Sequence, residues 1–128
     1  MPEPIPVELA QLIDDHVESL MQLEALFLLR HEPQRLWEAD EVAKALYISR
    51  DMCAAQLITL ERHGFLVRTP PPDGRYQYQP KDPQFDKLVG ELLALYQERR
   101  VAVIARIYSK PVNKVQTLAD AFRLRKEE

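Results

Sequence analysis

Three glycines and one cysteine in 128 residues close off several chemistries at once. Gly64, Gly74 and Gly90 are too scattered for a phosphate-cradling glycine loop. Cys53 alone makes no internal disulfide and no zinc or iron–sulfur ligand set, which suits a reducing, cytoplasmic compartment. The three histidines, His16, His31 and His63, have no second ligand at metal spacing, and no Ser-His-Asp or Cys-His arrangement can be nominated. No catalytic residue, metal or cofactor is therefore expected. His16 and His31 read as solvent-facing or helix-end residues, and His63 beside Gly64 as a structural residue at the negative end of its helix. No apolar run approaches the roughly 20 residues that span a bilayer. The opening MPEPIPVE is acidic and proline-rich where a secretory signal is basic and then apolar.

A surplus of positive charge is also missing, since the net charge is −3. It is unevenly spread: −5 over Met1–Arg35, −1 over Leu36–Pro80 and +3 over Lys81–Glu128. A polyanion would approach the last two segments and avoid the first. A hydrophobic content of 46% in a chain of this length suits one compact domain, residues 1–128.

After an extended lead containing Pro2, Pro4 and Pro6, apolar residues from Leu9 to Leu29 recur at spacings of three and four, predicting helix over 7–31. It is one helix, or two with Ser19 capping the second and Gln22 reaching back to complete a capping box. Pro33 ends it. Arg35-Leu36-Trp37 then supplies a short strand with Trp37 in the core. A helix follows over Ala39–Leu46, with Asp40 and Glu41 in its first turn and Val42, Ala43 and Leu46 inward. Tyr47 and Ile48 form the turn, and Ser49 caps the next helix. If Cys53, Leu57 and Leu60 face the core, Asp51, Ala55, Ile58 and Arg62 face outward, with Met52 and Thr59 on one flank. Gly64 closes this helix and Phe65-Leu66-Val67 opens a strand. Tyr76 and Tyr78 alternate with Gln77 and Gln79 on its return partner, and Pro70-Pro71-Pro72 stiffens the tip between them.

The Ala39–Leu46 helix, the Ser49 cap, the Leu60-Glu61-Arg62-His63-Gly64-Phe65-Leu66-Val67 run and the hairpin tip Asp73-Gly74-Arg75 resemble the winged helix-turn-helix superfamily, most closely transcription regulators of the MarR type. The resemblance covers Leu20 to Pro80. It implies a mainly α fold with a small β-hairpin wing, and a homodimer that places the Ser49 helix in the major groove of double-stranded DNA with the wing on the phosphate backbone. The residues assigned to DNA on this basis are Ser49, Arg50, Gln56, Thr59, Arg62, Arg68 and Arg75. The centre of the outward face is alanine and isoleucine, whereas base edges are normally read by arginine, lysine, asparagine or glutamine. An alternative is an interaction module that keeps the fold and docks another protein on Met52, Ala55, Ile58 and Thr59.

Beyond the wing, Asp82 and Pro83 open a helix whose stripe of Phe85, Leu88, Leu92, Tyr96, Val103 and Ile107 runs to Tyr108. If continuous it exceeds what a winged domain covers, and Leu88, Leu92, Tyr96, Val103 and Ile107 would pack on a second copy. Arg99 and Arg100 interrupt the stripe, so a break with fold-back competes. Ser109-Lys110-Pro111 restarts a last helix within 82–125, with Val112, Val115, Leu118, Ala119 and Phe122 inward, Phe122 joining the dimer layer, and Arg123, Arg125 and Lys126 at its basic end. Tyr96, Tyr108 and Trp37 are candidates to line an effector cavity.

Overall fold

A computed structural model describes residues 4–109 of the chain. Its elements run α1 (Val7–His16), α2 (Leu20–His31), α3 (Ala39–Leu46), α4 (Arg50–Arg62), β1 (Leu66–Arg68), β2 (Tyr76–Tyr78), α5 (Pro83–Glu98) and α6 (Arg100–Tyr108). The expected mainly α architecture with a hairpin wing is what forms.

The helix-turn-helix follows its local signals closely. Glu41 Oε1 accepts from the Glu38 N–H at 2.9 Å, pinning the start of α3. Ser49 Oγ accepts from the Met52 N–H at 3.2 Å and starts α4. Cys53, Leu57 and Leu60 are all buried, so α4 is rotated as its apolar spacing demands. At the far end Gly64 takes a φ of +89°, and the Phe65 N–H bonds back to the Leu60 carbonyl at 3.0 Å. That positive φ is where glycine is required, and a Cβ there would also come within 2.6 Å of Lys81 Cδ. β1 and β2 pair antiparallel with Leu66 opposite Tyr78 and Arg68 opposite Tyr76. Trp37 adds the expected third rung: its N–H and C=O each bond Tyr76 at 2.8 Å. Its indole is buried, and the Arg35 guanidinium lies 3.5 Å over the ring centroid.

The amino-terminal segment resolves into two helices. Ser19 caps α2 by accepting from the Gln22 N–H at 3.1 Å. The Gln22 side chain reaches one residue further back than a capping box: Oε1 accepts from the Glu18 N–H, and Nε2 donates to the His16 carbonyl at 2.7 Å. Gln22 is fully buried, so these bonds clamp the break between α1 and α2 from inside. His16 is not solvent-facing as its helix-end position suggested. Its Nδ1 sits 2.9 Å from His63 Nδ1, and its ring meets Phe65 and Phe85 edge-on. Phe65 and Phe85 stack at 4.9 Å, so one aromatic junction joins α1, the end of α4, β1 and α5.

The stripe beyond the wing is not one long helix. Arg99, with φ −133° and ψ 55°, separates α5 from α6, and α1 packs against both. Of the residues expected to pack on a second copy, three are taken up by the chain itself. Leu92, Val103 and Ile107 are buried in the chain's own core, with Leu88 and Tyr96 half-buried against it, because the break lets α6 supply the cover that a second copy was expected to give. Arg106 pairs with Asp14 through its Nε and Nη2, and Tyr108 Oη accepts from the Leu20 N–H at 2.9 Å, fixing α6 on α1 and α2. Asp86 ties α5 to the wing by accepting from Tyr78 Oη at 2.6 Å and pairing with Arg30 at 3.3 Å. Phe122, with Val112, Val115, Leu118, Ala119, Arg123, Arg125 and Lys126, lies outside the described residues.

Two outcomes follow from this packing. Replacing Gln22 with Leu keeps the volume but strands the Glu18 N–H and the His16 carbonyl, and should cost about 2–4 kcal/mol, read as a lowered urea midpoint at unchanged slope. Burial first, then the neighbouring His63, holds the His16 pKa below its ordinary 6.5, with Asp15 opposing and Lys81 adding to the depression. The folded state therefore binds fewer protons than the unfolded chain, and stability should be whole above pH 6.5 and fall as pH drops below it. Melting temperatures from pH 7.5 to 5 should show a drop that His16→Gln largely removes.

Candidate nucleic-acid interface

On α4 the residues expected outward are outward: Asp51, Ala55, Ile58 and Arg62 are exposed, and so is Met52. Thr59 is half-buried, its Oγ1 donating to the Ala55 carbonyl at 3.0 Å and accepting from Arg62 Nη2 at 3.4 Å. The hydroxyl is thus spent on its own helix. Gln56 departs from its assignment. It is half-buried and turned toward the α1–α2 joint, where Ser19 Oγ donates to its Oε1 at 3.1 Å. A glutamine at that position holds two helices together and is not presented to a ligand. Ser49 is committed to capping, with its exposed backbone at the positive end of α4.

The arginines surround this face but do not stand alone. Arg50 pairs with Asp40 at 3.1 Å, joining the starts of α4 and α3. Arg68 on β1 pairs with Glu61 of α4 at 3.2 Å and bonds Tyr76 Oη at 3.3 Å. Arg75 bridges Glu38 at 3.4 Å and Asp73 at 3.2 Å. Arg50, Arg68 and Arg75 therefore each have a carboxylate partner, and those pairs lock the wing to α3 and α4 as one continuous surface. Each pair is partly exposed, where such a bridge contributes at most about 1 kcal/mol. The pairs can therefore be opened at small cost. With five basic and six acidic residues over Leu36–Pro80, this surface is close to neutral.

Sequence reasoning put Tyr47 in the turn without foreseeing its conformation. It closes α3 in the left-handed region at φ +57° and is 95% exposed at the helix-turn-helix corner. The available signal was the lack of a glycine between α3 and α4, which forces some non-glycine residue into that conformation. The aromatic residues suggested for an effector cavity do not converge. Trp37 is buried under the wing, Tyr108 bonds Leu20, and Tyr96 lies along a groove lined by Phe27, Leu28, Leu46 and Leu93, its hydroxyl donating to Glu24. Cys53 is fully buried, and burial raises its thiol pKa, as a core residue requires. His63 Nε2 lies 3.6 Å from Glu18 beside His16, yet among the described residues no group of three or more His, Cys, Asp or Glu is placed to hold a metal ion. Among those residues, too, no helix is long and apolar enough to cross a membrane.

No protein-family model matches the chain, and no curated protein matches its sequence. Solved structures do match its shape. MepR, a transcription regulator of the Staphylococcus aureus multidrug efflux pump MepA, superposes with a TM-score of 0.51 at 19% identity, over 94% of this chain and 90% of that one. Sco5413, a MarR family transcriptional regulator from Streptomyces coelicolor, gives 0.57 at 12% identity, over 94% and 83%. A MepR mutant from S. aureus bound to an oligodeoxyribonucleotide gives 0.51 at 19% identity, over 94% and 89%. Together with the helix order, the hairpin and the Trp37 rung, these likenesses establish a winged-helix fold of the MarR type.

Proposed function

We propose that this protein is a DNA-binding transcription regulator, acting as a homodimer with α4 in the major groove and the wing on the backbone. The observation that carries the reading is the continuous surface formed by the exposed face of α4 and a wing whose two arginines pair with Glu61 of α4 and with Glu38 at the cap of α3. The fold shared with transcription regulators, one of them solved on an oligodeoxyribonucleotide, supports it. Mechanistically, phosphates displace the carboxylates from Arg50, Arg68 and Arg75. Each guanidinium exchanges one anion for another, and Arg62 adds a cation near the end of α4. Ser49 and Arg50 place the positive end of α4 near a phosphate, and Asp51 in the same turn opposes it.

For the homodimer, the support is apolar surface left on the α1–α6 side. Val7 is 83% and Val101 81% exposed, and Pro6, Val7, Leu9, Ala94 and Leu95 line a shallow groove between α1 and α5. A twofold copy on this side would present two α4 helices to one duplex, about 34 Å apart for successive major grooves. A second reading draws on the same α4 face. Met52, Ala55 and Ile58 are exposed between neutralised arginines, which also suits an apolar protein partner.

A salt series on mixed-sequence duplex DNA separates these readings. Affinity should fall linearly on logarithmic axes, with Arg68→Ala plus Arg75→Ala flattening the slope by about two per protomer, or about four for the dimer. Absence of binding at low salt overturns the DNA reading and leaves the docking one. For the dimer, sedimentation should return twice the chain mass, and Val101→Glu, a change at a position exposed in the single chain, should return the monomer with an unaltered melting curve.

A further inference from the structure

The face that α4 presents has almost no hydrogen-bonding vocabulary. Met52, Ala55 and Ile58 are three residues apart, so they form one stripe with a rise of about 4.5 Å per step along the helix. All three are exposed. The polar groups around them are engaged elsewhere: Arg50 with Asp40, Gln56 with Ser19, and Thr59 and Arg62 with each other. Asp51 can only accept, which among base edges suits the cytosine and adenine amino groups and opposes the guanine and thymine oxygens. An apolar stripe pressed against guanine O6 and N7, or against the adenine amino group, would strip their water without replacing it. In the major groove a single base feature rewards an apolar side chain, and that is the thymine C5 methyl.

Resting on the DNA-binding reading above, we propose that Met52, Ala55 and Ile58 recognise thymine methyl groups, so that the protein selects T-bearing steps by apolar contact. Arg50 and Arg62 at the two ends of the stripe face the phosphate walls while the stripe faces the groove floor. Thymine's own O4 and the adenine edge opposite remain hydrated, and binding needs no new donor from the protein. Specificity of this kind is additive in methyls and insensitive to salt, whereas the arginine contacts are salt-dependent and sequence-blind.

The test uses DNA polymers that differ by the methyl alone: alternating poly(dA-dT) against poly(dA-dU), and poly(dG-dC) against its 5-methylcytosine form, each across the same salt series. Each covered methyl should change affinity about fourfold. Poly(dA-dT) should therefore bind at least about tenfold tighter than poly(dA-dU), and 5-methylation should strengthen binding to the G·C polymer. Ile58→Ser with Met52→Ser, both at exposed positions, should collapse the dT/dU ratio toward one while the salt slope stays. Equal affinity for poly(dA-dT) and poly(dA-dU), with a normal salt slope, overturns the methyl readout and leaves the DNA-binding reading standing. No affinity for any polymer at low salt overturns both.

Discussion

The reversal at Gly64 is the constraint on which the remaining structure hangs. With Gly64 at φ +89° the chain passes from α4 to β1 through only three residues, so Leu60 and Phe65 are buried side by side and the wing starts close to where α4 stops. The Gly64 carbonyl then accepts from Lys81 at 2.8 Å and the Phe65 carbonyl from Gln79 at 3.1 Å, which returns the hairpin to the base of α5. Phe65 stacks on Phe85, and His16 and His63 close the remaining side. One glycine thereby fixes the angle between α4 and the wing and gathers α1 and α5 around the same aromatic junction. A side chain at 64 would need both an unfavourable backbone conformation and displacement of Lys81.

The arginine pairs impose a different constraint. A winged surface meant for a polyanion gains by leaving its cations unpaired, yet here Asp40, Glu61, Glu38 and Asp73 neutralise Arg50, Arg68 and Arg75. Partly exposed pairs contribute little to stability, so their main physical effect is to hold the wing in register with α3 and α4 and to subtract from non-specific attraction. Electrostatics then supplies orientation more than affinity. The exposed face of α4 is an apolar stripe whose polar neighbours bond Ser19, Ala55 and Asp40.

What could be read from the sequence follows the locality of the forces. The rotation of α4 was legible because Cys53, Leu57 and Leu60 fix a helical face, and Ser49 and Gly64 are local signals with local consequences. The strand pairing of Trp37 was legible for the same reason. The break at Arg99 was ambiguous because the stripe Leu92, Val103 and Ile107 stays buried on both sides of it, and periodicity records burial without saying against what. A core within one chain and an interface between two are the same signal. Gln56 was misread since its partner is Ser19, 37 residues away, and nothing local marks a glutamine that bridges helices. The Gln22 clamp was half legible: its backbone bond to Ser19 follows the capping pattern, but its reach to His16 depends on how α1 ends.

That ambiguity also relocates the proposed second copy. Because α6 is already fixed on α1 through Arg106–Asp14 and on α2 through Tyr108–Leu20, the apolar stripe of α5 is unavailable to a partner without unpacking the core. The surface that remains is narrower: Val7 and Val101 with the groove of Pro6, Leu9, Ala94 and Leu95, rimmed by Glu8, Glu91 and Glu98. Three carboxylates around an apolar strip would repel their own copies in a face-to-face twofold unless basic residues meet them. The segment following Ser109 carries five basic residues, Lys110, Lys114, Arg123, Arg125 and Lys126, against three acidic ones. Burial therefore separates the homodimer reading from the α5 stripe and leaves it resting on exposed apolar positions such as Val7 and Val101.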